Sequence, residues 1–358
     1  MIFSIDNLKN LNNRDSILNK ENIINDEDSS SFNESLFFIE ASNMILEETK
    51  SFIVDAILER KSINVENPSE VLSVIDMKLE KFIIDMNKLS SKFEATMNRL
   101  GSRTILMKSY TAKDFSTLKR SIRYNGTICN YTNIGVYNAY TSYQTEIQDI
   151  YCMFIRNLQK FAKIKNSSDF DKLYDSISKQ KNINIGDYYR SRILGKKYDI
   201  NDSNTEDEHN FYDELKKYYT GDGDDPIVKN FDFTPKAIYN TAKAFYSNLY
   251  LLCIKKECRE ITTAAKEMQE KLKKVKLDDY ITLASNKQDW YNHSAKSAFD
   301  SIINDTLFRT QILCQVYLKY IAAKMEAAVN ERQQSIKILK YVLRHMDDNN
   351  NTKEGGNK

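Results

Sequence analysis

Glycine and proline are scarce in this chain of 358 residues, at 9 and 3, which leaves too few turn-formers for a sandwich or barrel turning tightly at roughly every tenth residue. Helices tolerate that scarcity, and an all-α fold is expected. Histidine is nearly missing too. His209, His293 and His345 stand far apart, so nothing local supports acid–base or metal chemistry. Net charge is a third lack: 52 Lys plus Arg against 50 Asp plus Glu leave +2. That balance implies no polyanionic or polycationic partner by itself, although a local patch stays open.

The five cysteines (Cys129, Cys152, Cys253, Cys258 and Cys314) are an odd set among apolar neighbours and read as reduced thiols in an intracellular setting. The gap in "CIKKEC" places Cys253 and Cys258 well around a helix from each other, and no second pair or nearby His completes a zinc site. The opening "MIFSIDNLKNLNNRDS" lacks a basic n-region and an apolar h-region, so no secretory signal is expected. Long apolar runs are missing as well. The most apolar stretch, "ILCQVYLKYIAA", is interrupted by Gln315 and Lys319 and closed by Lys324, which reads as a buried central helix and not a membrane span.

What the chain does have is helical periodicity. Residues 1–34 are polar and without period, and a disordered arm is expected there. "ESLFFIEASNMIL" then opens an amphipathic stretch in which Phe38, Ser42, Ile45, Thr49, Phe52 and Ala56 recur at helical spacing. Asn67, Pro68 and Glu70 in "NPSEV" form a helix start, with cap, first-turn proline and capping-box acid. From there Leu72, Ile75, Leu79, Phe82, Met86, Leu89, Phe93, Thr96 and Leu100 step by three and four up to Gly101. This seam suits either an antiparallel bundle within one chain, the preferred reading, or pairing between chains. In the second case Leu79, Phe82, Met86 and Phe93 are the interface candidates.

The remaining organisation follows from composition and period. Residues 35–104 form an N-terminal helical hairpin. Residues 105–196 form a Tyr-rich connection, with a possible short β-hairpin, followed by middle helices. Residues 197–232 form an acidic loop region holding a short helical piece. Residues 233–346 form a C-terminal long-helix bundle, and 347–358 a disordered tail. In the Tyr-rich part, Tyr124, Tyr131, Tyr137, Tyr140 and Tyr143 are expected to pack as half-buried rings, with a contact surface as the alternative. A helix from Pro235 should run to about Lys276, and another from near His293 to Met346 with a break near Asp305.

Constellations for chemistry fail one by one. Glu206 precedes His209 at the Glu-x-x-His step of helical di-iron sites, but no second copy follows. Asp222 and Asp224 in "DGDDP" begin like a calcium loop, yet Pro226, Ile227 and Phe233 occupy positions where ligands and a glycine are needed. No phosphate loop, nucleophile elbow or Cys-x-x-Cys pair occurs. The reading is therefore of a non-enzyme with no catalytic residue, metal or cofactor. One basic helix remains, "KKECREITTAAKEMQEKLKKVK", with Lys255, Lys256, Arg259, Lys266, Lys273 and Lys274 as a candidate basic face and glutamates interleaved.

Residues 34–100, from "ESLFFIEASNMILEETKSFIVDAILER" through "NPSEVLSVIDMKLEKFIIDMNKL", resemble the N-terminal portion of virion structural proteins of large tailed bacteriophages of low-GC Gram-positive bacteria. The likeness lies in an early Phe-x-Glu-Ala-type helix, a short polar link and a long Lys-rich amphipathic helix. It implies a place in the virion, host cytoplasm during assembly, other virion proteins or further copies of this chain as partners, and no catalytic residue to carry over. The leading expectation is a non-enzymatic structural or assembly component acting through helix–helix and arm-mediated contacts. The alternatives are a helical nucleic-acid-associated protein working through residues 255–276, and an intracellular effector or regulatory enzyme whose site is not visible in sequence.

Overall fold

The computed structural model describes residues 68–102, 110–131, 133–135, 139–180, 185–194, 208–220, 227–285 and 293–351. The expected arm, the first helix of the N-terminal hairpin and residues 352–358 of the expected tail lie outside them, whereas residues 347–351, expected as disordered tail, are helical. The described chain is helical, with one two-stranded antiparallel sheet. In order it runs α1 (Pro68–Ser102), β1 (Ile122–Cys129), α2 (Ala139–Lys163), α3 (Ser167–Gln180), α4 (Ile185–Leu194), α5 (Glu208–Thr220), β2 (Ile227–Phe233), α6 (Pro235–Ser247), α7 (Leu249–Leu272), α8 (Leu277–Ser285) and α9 (His293–Asn351).

Helix α9 organises the rest. It packs against α1 through α7 and against β1, while α8 lies on α2 and α1. Its 59 residues contain neither Gly nor Pro, so nothing in its backbone chemistry ends it, and at 1.5 Å per residue it spans about 90 Å. From Ser301 to Val329 it is buried on nearly every side, the pattern of a helix enclosed all round. The break expected near Asp305 is absent for a visible reason. Asp305, which would compete for backbone partners if left free, is held by Arg309 one turn on at 2.9 Å. The hydroxyls of Thr306 and Thr310 donate to the carbonyls of Ile302 and Thr306.

The α1 seam is internal. Ile75, Leu79, Phe82, Met86, Leu89, Phe93 and Leu100 are all buried, because α1 lies along α7 and α9 of the same chain. The face predicted for α2 is likewise buried, through Tyr143, Ile147, Ile150, Phe154, Leu158 and Phe161. The helix expected to run unbroken from Pro235 is two helices. Thr234 caps α6 by accepting from the amide of Ala237, and Asn248, at φ 50°, ends it with a left-handed residue from which α7 departs. Beyond that elbow the expected stripe holds, with Leu251, Ile254, Cys258, Ile261, Ala265, Met268 and Leu272 all buried.

The strand from the Tyr-rich region finds its partner far along the chain. Ile122 pairs with Phe233 and Cys129 with Ile227, with a bulge between Tyr124 and Thr127, so β1 and β2 form a long-range ribbon and not a hairpin. Residues 227–232, read from sequence as part of an acidic loop region, thus belong to a strand that ends at Phe233. Gly126 sits in the bulge, where a Cβ would fall 2.4 Å from the ring of Tyr124. Gln334 of α9 closes one exposed point of β1, donating to the carbonyl of Cys129 and accepting from its amide at 2.8 and 2.6 Å, which satisfies two backbone groups that an edge strand would offer to another chain. Tyr341 of α9 meets Tyr124 edge-on and donates to the carbonyl of Arg123.

Candidate functional site

The residues singled out by sequence go to different places. Leu79, Phe82, Met86 and Phe93 are core residues of one chain, each at most 2% exposed, and they offer no face to a second chain while the fold is intact. The basic helix α7 divides. Lys255 pairs with Glu94 of α1 at 2.6 Å, and Lys273 with Glu270 at 3.6 Å. Lys256, Arg259, Lys266 and Lys274 face solvent. Lys271 donates to Gln148 of α2 and lies over the ring of Tyr151. Part of the basic character thus ties α7 to its neighbours.

His293 opens α9 and His345 lies near its other end, where Nδ1 is 2.9 Å from the carbonyl of Tyr341. Along one helix those positions are on the order of 80 Å apart, so no single site unites them. Glu206, Asp222 and Asp224 lie outside the described residues, as does the side chain of His209. Among the described residues no group of three or more His, Cys, Asp or Glu side chains is arranged to hold a metal ion. All five cysteines are free thiols, and burial pushes Cys258 up to about 12, away from nucleophilic thiolate. Of the Tyr-rich segment, Tyr143 is fully buried and Tyr124 packs against Phe233 and Tyr341.

The polar chemistry that the fold does assemble lies in its core. Lys324 of α9, 1% exposed, meets Glu257 of α7, fully buried, at 2.6 Å. Tyr320, one turn before Lys324, donates to the other oxygen of Glu257 at 2.8 Å. The ring of Tyr219 from α5 lies beside that of Tyr320. A second cluster sits one turn away along α9. Tyr317 donates to Glu146 of α2 at 3.1 Å, and Arg192 of α4 approaches the opposite oxygen at 3.7 Å. Tyr143 stands edge-on to Tyr317 at 4.7 Å. Burial pushes Glu146 up to about 8, against the opposing pull of the Tyr317 hydroxyl and the Arg192 charge.

These groups came through sequence reading misplaced or unnoticed. Glu257 is one of the glutamates interleaved with the basic residues of α7, yet it is fully buried. The signal that could have found it is positional: it is three residues after Ile254 and four before Ile261, within the apolar stripe itself. Glu146 stands in the same relation to Tyr143 and Ile150, and Lys324 to Ile321 and Ala328. A charged residue on an apolar stripe needs a partner in the core, and each of these has one. The clusters fasten α2, α4 and α7 to the middle of α9. No family model, no curated protein and no solved structure matches the chain.

Proposed function

We propose that the protein is a non-enzymatic helical scaffold, a structural or assembly component of a bacteriophage particle that acts through protein contacts. The observation that carries the scaffold reading is the way the buried ionisable groups are used. Glu257, Lys324 and Tyr320 bond to one another, and Glu146 is engaged by Tyr317 and, from the half-exposed side, by Arg192, around the tightly packed middle of α9. Buried polar groups that bond in this way fix the register of the helices that meet there. The phage assignment rests on the resemblance of residues 34–100 alone.

Peptide mass spectrometry on density-gradient-purified particles from an infected-cell lysate tests this reading. The expected result is co-sedimentation at a fixed copy number relative to the major capsid protein. Absence from particles, with the protein present in the infected cell, would count against it.

A second reading, association with nucleic acid, draws on one observation: Lys256, Arg259 and Lys266 are all exposed on α7, at helical offsets that put them on one side. Binding through phosphates must weaken steeply as salt rises. Duplex DNA retained equally at about 50 and 200 mM salt, or retained equally after Lys256, Arg259 and Lys266 are changed to Glu, would remove this reading.

A further inference from the structure

Helices α1 and α7 lie side by side and antiparallel. Lys255 meets Glu94 towards one end, and the side-chain amide of Gln269 donates to the carbonyl of Asp76 and to Glu80 at the other. That register sets residues 81–98 of α1 beside residues 249–266 of α7 over about 25 Å. Five cations stand exposed on the outward side of these stretches, Lys81 and Lys88 from α1 and Lys256, Arg259 and Lys266 from α7, and no acid is among the exposed residues there. The acids of the same stretches turn elsewhere. Asp85 is 3.9 Å from Lys88, Glu94 is held by Lys255 at 2.6 Å, Glu257 is buried against Lys324 and Glu260 is half-buried. The two stretches carry seven Lys and Arg against four acids, a larger surplus than the +2 of the whole chain.

Three of the six large apolar side chains exposed among the described residues stand on this same side: Ile84 at 43%, Leu249 at 47% and Leu252 at 62%. Helical offsets put Ile84 one turn from both Lys81 and Lys88, and Leu252 one turn from both Leu249 and Lys256. The core of a protein interface is apolar and depleted of charge, whereas here the apolar side chains stand among cations. A nucleic-acid backbone makes use of the cations alone. An anionic lipid surface uses both, because its headgroups attract Lys and Arg while the boundary between headgroups and acyl chains takes up single apolar side chains. No helix among the described residues is long and apolar enough to cross a membrane, so the contact is with the lipid surface.

We infer that the adjoining outward sides of α1 and α7 form a docking face for an anionic lipid membrane, with the five cations set against phosphate headgroups and Ile84, Leu249 and Leu252 entering the boundary beneath them. Co-sedimentation of the full chain with vesicles is the test, using phosphatidylcholine alone and phosphatidylcholine with about one-third phosphatidylglycerol. The expected result is binding to the anionic vesicles only, weakening as salt rises from about 50 to 200 mM.

All these side chains are exposed, so variants that change them leave the core intact, which circular dichroism checks. Ile84, Leu249 and Leu252 changed together to Ser should weaken binding to the anionic vesicles at least about ten-fold. Lys88→Glu combined with Arg259→Glu and Lys266→Glu should abolish it. A native chain that stays in the supernatant with anionic vesicles, or a folded serine variant that binds them as tightly as the native chain, overturns the inference. Retention of duplex DNA by a native chain that binds no vesicles would overturn it as well, and would give the face to nucleic acid.

Discussion

Glu257 and Lys324 depend on each other inside the core, and either one left alone is a buried charge without its partner. Glu257→Ala or Lys324→Ala is expected to cost about 3–5 kcal/mol in urea unfolding, while replacing both with apolar residues of similar volume should recover most of that loss. A double variant no better than the singles would mean that the surrounding packing, and not the charge, sets the cost. Glu146 makes a prediction of a different kind. Its folded-state pKa of about 8 lies above the ordinary carboxyl value of 4.5, so between those values the folded chain holds a proton that the unfolded chain has released. Stability from this group is therefore present at the acid end and is lost as pH rises from about 4.5 towards 8, by several kcal/mol at most. Glu146→Gln, which mimics the protonated acid and still accepts from Tyr317, should flatten that slope and exceed the native chain in stability at the alkaline end. Equal slopes in the two proteins would show that Glu146 titrates normally.

At the scale of elements, the α1 seam yields a sharp expectation. Because Phe82 and Met86 are buried within one chain, changing both to Glu should remove cooperative unfolding and much of the helical circular dichroism; a folded but smaller species in sedimentation would show instead that the seam pairs between chains. The elbow at Asn248 gives another. A left-handed residue without a buried amide is what glycine provides, so Asn248→Gly should be neutral or stabilising, and Asn248→Val should destabilise by about 1–2 kcal/mol. The seam of α1, the faces of α2 and α7 and the start of α6 were legible because each is a local repeat or a cap written in adjacent residues. The elbow at Asn248 was not, since the apolar period runs straight through it. Nor was the ribbon: Ile122 and Phe233 declare no partnership in sequence, and their pairing is decided by what packs around α9. The Glu257–Lys324 pair was hidden for the same reason, as its bond exists only once distant helices meet.

For the whole molecule, the arrangement depends on one helix. Among the described residues, seven helices and β1 find their common neighbour in α9, so a chain truncated before His293 should show no cooperative thermal transition, whereas loss of α8 alone should leave one. That dependence sets a timetable for synthesis. Helices α1 through α8 leave the ribosome before the surface they bury against, and at 5–20 residues per second the 59 residues of α9 take on the order of several seconds more to appear. Throughout that interval Leu79, Phe82 and Phe93 have only part of their eventual covering, and the nascent chain must be shielded from its neighbours on the polysome until its last helix arrives.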